Sequence, residues 1–132
     1  MVMRMNEIRK IKPHEFEQAI AFANHQFGLN FKKTQPKLYG HYNSGEHCAC
    51  FDHGRIVGLL SAYPIAPMGI KVLSVGTVCV AEDFRGRGIM GKLFDFASRK
   101  LFSEYDLVVL LGSEERYEHF GFYKTGKRLS LR

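Results

Sequence analysis

Arg85-Gly86-Arg87-Gly88, followed by Ile89-Met90-Gly91, are the residues whose types and spacing could do chemistry in this chain. Glycines let a backbone turn without Cβ crowding, and arginines supply fixed positive charge. Before them Val75, Thr77, Val78 and Val80 read as a buried strand; after them Ile89, Leu93, Phe96 and Ala97 recur at helical spacing. A helix that opens at such a turn leaves its first backbone N–H groups without internal partners, aimed at the turn together with the positive end of the helix dipole. A pyrophosphate meets that need. A Walker loop would place Lys-Ser or Lys-Thr after the last glycine, where Ile89-Met90 stand. Gly86, Gly88 and Gly91 do satisfy the glycine spacing of a dinucleotide fingerprint, with Asp106 about twenty positions on. That fingerprint follows the first strand of its unit, whereas several strands precede this turn.

A second group, His41, His47, Cys48, Cys50 and His53, invites a metal. Tetrahedral sites take paired ligands two to four residues apart on a turn and a second such pair further on, and no second pair exists here. No metal is expected. Three cysteines, with Cys48 and Cys50 two apart on one strand, argue against a disulfide framework. Nineteen Lys and Arg against 13 Asp and Glu give a net charge of +6. Such a charge suits nucleic acid, an acidic protein or a polyphosphorylated small molecule, but the basic residues are dispersed, which weakens the nucleic-acid reading. There is no run approaching a membrane span and no apolar signal region at the N-terminus, so a cytoplasmic protein without membrane contact is expected.

The positioning elements follow from periodicity. Residues 5–11 read as a first strand, ended by Lys12-Pro13. Phe16, Ile20, Ala23 and Phe27 mark an amphipathic helix whose apolar face is read as sheet-packing core, with Gly28 as a left-handed cap. Residues 29–44 are irregular, aromatic and basic, with a short helix near Gln35 to Tyr39. Residues 46–52 alternate as a strand, with His47, Ala49 and Phe51 on one face and Cys48 and Cys50 on the other. A turn at Asp52-His53-Gly54-Arg55 leads into a strand over 56–63, closed by Pro64, and residues 70–81 form the third strand of a meander. A helix to about Phe102 and an apolar strand over 106–111 imply a right-handed parallel crossover. Residues 112–119 form a short helical turn, and one last strand runs from Gly121 to Leu131.

Arg85-Gly86-Arg87-Gly88-Ile89 resembles the acyl-CoA-binding signature of the GNAT-type N-acetyltransferases, Arg or Gln followed by x-x-Gly-x-Gly/Ala; Met90 stands at its final position, with Gly91 one place later. Tyr117-Glu118-His119-Phe120-Gly121-Phe122 resembles the Tyr-x-x-x-Gly-Phe segment of those domains. Pro36-Lys37-Leu38-Tyr39-Gly40 and Arg116-Tyr117-Glu118 are similar to the N-terminal domain of the enhanced-intracellular-survival-like branch.

The resemblance implies a mixed α+β fold over residues 1–132 as one domain: an antiparallel meander followed by a β-α-β crossover with splayed strands and helices on both faces. It implies transfer of an acetyl group from acetyl-CoA to a primary amine of a small molecule or peptide by direct attack in a ternary complex, or else a non-catalytic acyl-CoA sensor. Val78, Cys79 and Val80 would pair their backbone with the pantetheine arm, amides from Arg85 to Gly91 would hold the diphosphate, and Arg85 and Arg87 would add charge-assisted contacts. Residues 29–44 would line the acceptor pocket. Tyr117 stands where the family places a general acid. The base stays open between Glu82, Glu114, Glu115, His119 and a water chain. Most members carry one more strand after the last one read here, so an unpaired edge or a homodimer is expected.

Overall fold

The computed structural model describes residues 6–110 and the backbone of Phe122–Thr125 and Arg128–Leu131. In chain order these residues form β1 (Glu7–Lys10), α1 (Phe16–Phe27), α2 (Phe31–Thr34), α3 (Pro36–Tyr39), β2 (Glu46–Asp52), β3 (Arg55–Ile65), β4 (Val72–Val80), α4 (Ile89–Lys100), β5 (Leu107–Leu110), β6 (Phe122–Thr125) and β7 (Arg128–Leu131). One sheet contains all seven strands in the order β1-β2-β3-β4-β5-β7-β6. Every pairing is antiparallel except β4 with β5. A doubly wound parallel sheet, which a dinucleotide fingerprint would require, is thereby ruled out.

Period-2 alternation decides which side chains meet which helix. Cys48 and Cys50 of β2 pack with Val57, Leu60, Val75 and Val78 under Ile89, Leu93, Phe94 and Ala97 of α4. Ala49 and Phe51 of β2 point the other way, with Leu59 and Cys79, under Phe16, Ala19, Ile20 and Ala23 of α1 and Leu38 and Tyr39 of α3. This split separates Cys48 and Cys50 from His47, so the metal constellation does not assemble, and all three cysteines are free and buried. The β2–β3 turn forms as read, with His53 and Gly54 both at positive φ, 51° and 78°.

β4 carries the feature that shapes the site. The register runs from Ser61↔Thr77 directly to Ala62↔Val75, so Gly76 is an extra residue, a β-bulge. The parallel pairs with β5 end at Val75↔Leu110, one residue before that bulge, and the rest of β4 runs on without a β5 partner among the described residues.

Two expectations need correction. Pro64 does not end β3: the strand continues to Ile65, with Pro64 opposite Leu73. β2 pairs no further than Ala62, so Pro64 has a neighbouring strand on one side only, where a missing N–H is tolerated. The last strand is not single. Phe122–Thr125 and Arg128–Leu131 form two short antiparallel strands, with Thr125 opposite Arg128, and β7 inserts between β5 and β6. The strand whose absence suggested a partner subunit is present.

Arg9 of β1 and Glu15 tie the first strand to α1. The guanidinium donates from Nη1 to Oε1 and from Nη2 to Oε2, each at 2.8 Å, and the Lys12 N–H donates to Oε1 at 2.7 Å. Hydrogen bonding from Arg9, opposed by burial and aided by the Lys12 amide, holds the carboxyl down at about 2. The unfolded chain takes up that proton near its ordinary value of 4.5, so the stabilisation is complete above 4.5 and is lost as pH falls toward 2. Glu15→Gln is therefore expected to flatten the fall in denaturant midpoint between pH 4.5 and pH 2; an unchanged slope contradicts the linkage.

Candidate active site

β4 ends at Val80, Ala81 N–H closes back on Val57 O at 2.8 Å, and a single helical turn over Glu82–Phe84 buries the Phe84 ring. Gly86 and Gly88 then adopt φ of 80° and 76°, the left-handed region that glycine enters without steric cost. A Cβ built on either has nothing within 4 Å, so both face open space and only the backbone angle demands glycine. Gly88 caps α4, and the first intrahelical bond is Lys92 N–H to Gly88 O at 3.1 Å. α4 begins at Ile89, where the helical spacing begins, because Gly86 and Gly88 are both left-handed. Among the described residues, the N–H groups of residues 86–91 have no acceptor in the chain.

These amides border a cavity of about 620 Å³. Val78, Cys79, Val80, Arg85, Gly86, Gly88, Ile89, Met90 and Gly91 line it, all of them picked out from the sequence. Arg87 does not. Its Nη2 donates to Asp83 O at 3.2 Å, and its guanidinium lies 4.6 Å from the centre of the Phe84 ring. Arg85 Nε donates to Val80 O at 3.1 Å, tying the turn to the end of β4 with its remaining N–H groups available. Burial pushes the Cys79 thiol up to about 12, so it is no thiolate nucleophile at neutral pH. Asp106, just before β5, accepts from Lys71 N–H at 3.0 Å, which commits it to the start of β4 and not to a ribose.

Sequence reading missed Gln26, Phe27 and Phe84 as lining residues. Phe27 is the instructive case. Its helical spacing marks it as core, yet it is 47% exposed, because it ends α1 beyond the part of the helix that covers the sheet. It lines a second cavity as well, of about 640 Å³, together with Gln35, Lys37, Leu38, Gly76 and Thr77. Phe27 and Val78 are the residues common to the two. Gln35 Nε2 donates to Gly76 O at 3.4 Å, so the irregular segment before β2 is pinned to the bulge of β4. Tyr117, Glu114, Glu115 and His119 lie outside the described residues.

Next to the second cavity sits a buried polar row. His47 of β2 is opposite Ser61 of β3, and Ser61 is opposite Thr77 of β4. His47 Nδ1 and Ser61 Oγ are 2.7 Å apart, and the Tyr39 ring stacks on the imidazole, centroids 5.9 Å apart at 29°. Burial pushes the Tyr39 phenol up to about 12, with the Ser61 and Thr77 hydroxyls pulling it back, and burial alone pushes His47 down to about 4. His47 is therefore neutral at pH 7.

A mixed sheet with one parallel pair, a bulged central strand and an amide-lined turn leading into a helix defines the GNAT architecture. The acetyltransferase (GNAT) domain family matches residues 7–125, and the chain belongs to that family. Solved structures share the fold. A GNAT-family acetyltransferase from Brucella melitensis in complex with acetyl-CoA is 21% identical, with a TM-score of 0.71 over 96% of this chain and 87% of that one. A GNAT-family N-acetyltransferase from Escherichia coli in complex with CoA is 19% identical, TM-score 0.71, over 96% and 81%. Glucosamine-6-phosphate N-acetyltransferase from Arabidopsis thaliana is 18% identical, TM-score 0.72, over 93% and 95%. No curated protein sequence matches.

The left-handed angle at Gly88 gives a direct test of the cradle. Gly88→Ala is expected to lower unfolding free energy by about 1–2 kcal/mol, and Gly88→Asn by less, since Asn tolerates this region. Equal denaturant midpoints for wild type and Gly88→Ala contradict the geometry.

Proposed function

We propose that residues 1–132 act as one acyl-CoA-dependent N-acetyltransferase domain, moving an acetyl group from acetyl-CoA to a primary amine of a small molecule or peptide in a ternary complex. The observation that carries this is the cradle: unpaired amides of residues 86–91 open onto a cavity that meets a second one at Phe27 and Val78. Oriented N–H groups at a helix mouth suit a diphosphate, and the positive dipole end adds to the attraction. Gly86 and Gly88 leave room for close approach. Val78, Cys79 and Val80, on the part of β4 without a described β5 partner, offer backbone to an extended pantetheine arm. Arg85 contributes charge from its free nitrogens, while Arg87 reaches a phosphate only by leaving Phe84.

Binding both substrates at one seam supplies proximity, the largest single advantage for a transfer between two molecules. Backbone N–H of β4 polarises the thioester carbonyl, and Tyr117 donates the proton to the departing thiolate. Acetyl-CoA supplies the activated acyl group. Within the superfamily, Pro36-Lys37-Leu38-Tyr39-Gly40 and Arg116-Tyr117-Glu118 support a place near the enhanced-intracellular-survival-like branch. The free buried thiols fit a cytoplasmic setting.

Acetyl-CoA at about a hundred times its dissociation constant is expected to add about 2.7 kcal/mol of stability, raising the melting temperature by several degrees. The absence of any shift removes the proposal. Thiol release with a panel of amines tests turnover: a melting shift without release with any amine favours the sensor. Tyr117→Phe is expected to keep the melting shift and lose turnover, and unchanged turnover removes its acid role.

A further inference from the structure

A group passes between two bound molecules only where both can be reached. With the donor in the first cavity and the acceptor in the second, the residues that line both stand where the amine meets the thioester. Those residues are Phe27 and Val78. Val78 is buried in β4 opposite Leu60 of β3, so its place is set by the sheet. Phe27 is a half-exposed ring on the last residue of α1.

A single apolar side chain left in water needs no explanation. Phe27 differs from the other large ones described, Leu29, Met68 and Ile70, because it alone of the four borders both cavities. Its position is built by its neighbours. Gly28 caps α1 at φ 64°, its N–H donating to Asn24 O at 2.8 Å, so the helix stops directly after Phe27. Asn24 Oδ1 accepts from Phe31 N–H at 2.8 Å, which ties the start of α2 to that helix end. The buried Phe31 ring, packed on Tyr39 with centroids 5.5 Å apart, stands edge to face with Phe27 at 5.5 Å and 82°. A buried ring therefore backs Phe27, while its exposed part borders the cavities.

Relying on the acetyltransferase reading above, we propose that Phe27 sets the length of the acyl group: its ring occupies the space beyond the acetyl methyl where the two cavities meet. In the transfer the amine nitrogen bonds to the carbonyl carbon and the carbon–sulfur bond breaks. The amine gives up one proton and the departing thiolate takes one. The acyl chain does not react, but it must fit beside both the pantetheine arm and the amine. A methyl needs little room, whereas each further methylene needs apolar volume at the junction. Leu38, Val75 and Val78 line the second cavity as well, so space vacated by the ring suits an alkyl chain. A pocket that is short of room for one methylene discriminates by roughly 10–200-fold.

The experiment measures kcat/KM for butyryl-CoA and for acetyl-CoA by thiol release, with one amine accepted by wild type. Wild type is expected to favour acetyl-CoA. Phe27→Ala is expected to raise the butyryl-to-acetyl ratio by about tenfold or more, and Phe27→Leu by less. Leu29→Ala, which removes an exposed apolar side chain lining neither cavity, is expected to leave the ratio at its wild-type value. Because both donors meet the same protein, the ratio is insensitive to a loss of folded enzyme. The proposal is overturned by a wild type equally active with both donors, by Phe27 variants that keep the wild-type ratio or lose turnover with both donors, or by an equal rise in Leu29→Ala. Each of these leaves the acetyltransferase reading standing. A wild type that gains stability from acetyl-CoA but acetylates no amine overturns both.

Discussion

The backbone of β4 is the constraint on which the rest depends. Up to Val75 it is an ordinary strand with a parallel neighbour; after Gly76 it keeps β3 on one side and has no described neighbour on the other. Unpaired backbone groups inside a protein need partners, and a strand with an open side is satisfied by another extended chain. The bulge at Gly76 follows directly on the last described pair with β5, and its extra residue shifts the register against β3 and increases the local twist.

The surrounding packing holds that opening in place. α4 covers one face of the sheet and α1 with α3 the other, so β4 is buried from both sides, and beyond Val75 it has no β5 partner among the described residues. Gln35 reaches from the irregular segment to Gly76 O, and Phe27 ends α1 over the line where the two cavities meet. Cavities, bulge and helix mouth therefore share one strand, and a shift in β4 moves all of them together. Polar burial is arranged unevenly around it. Cys79 is pushed toward the inert thiol and His47 toward neutral imidazole, both by loss of water. Among the described residues the first cavity has Arg85 as its charged side chain, and the rest of its electrostatics are those of backbone amides.

Local signals were legible wherever the chemistry is local. Glycines at 86 and 88, the helical spacing after them and the alternation of residues 46–52 each have a cause within a few residues, and the described structure has those features. The family, too, is written in a short run of backbone-demanding residues, Arg85 to Ile89. Boundaries were less legible. Pro64 looks like a stop because the reading cannot know that β3 has a neighbour on one side only there, and residues 122–131 look like one strand because their apolar pattern does not mark the break between two short ones.

Sequence alone determined the turn, the helix it opens and the antiparallel meander that precedes them, because backbone angles and amphipathic periodicity are properties of neighbouring residues. Tertiary structure decided what meets across the sheet: that Gly76 is a bulge, that Phe27 leaves the core for a cavity wall, that Arg87 turns to Phe84 and Asp83, and that Thr77, Ser61, His47 and Tyr39 converge. Those four residues are separated by up to 38 positions in the chain, and no local rule relates them. Strand register brings three of them side by side, and α3 lays the fourth on top.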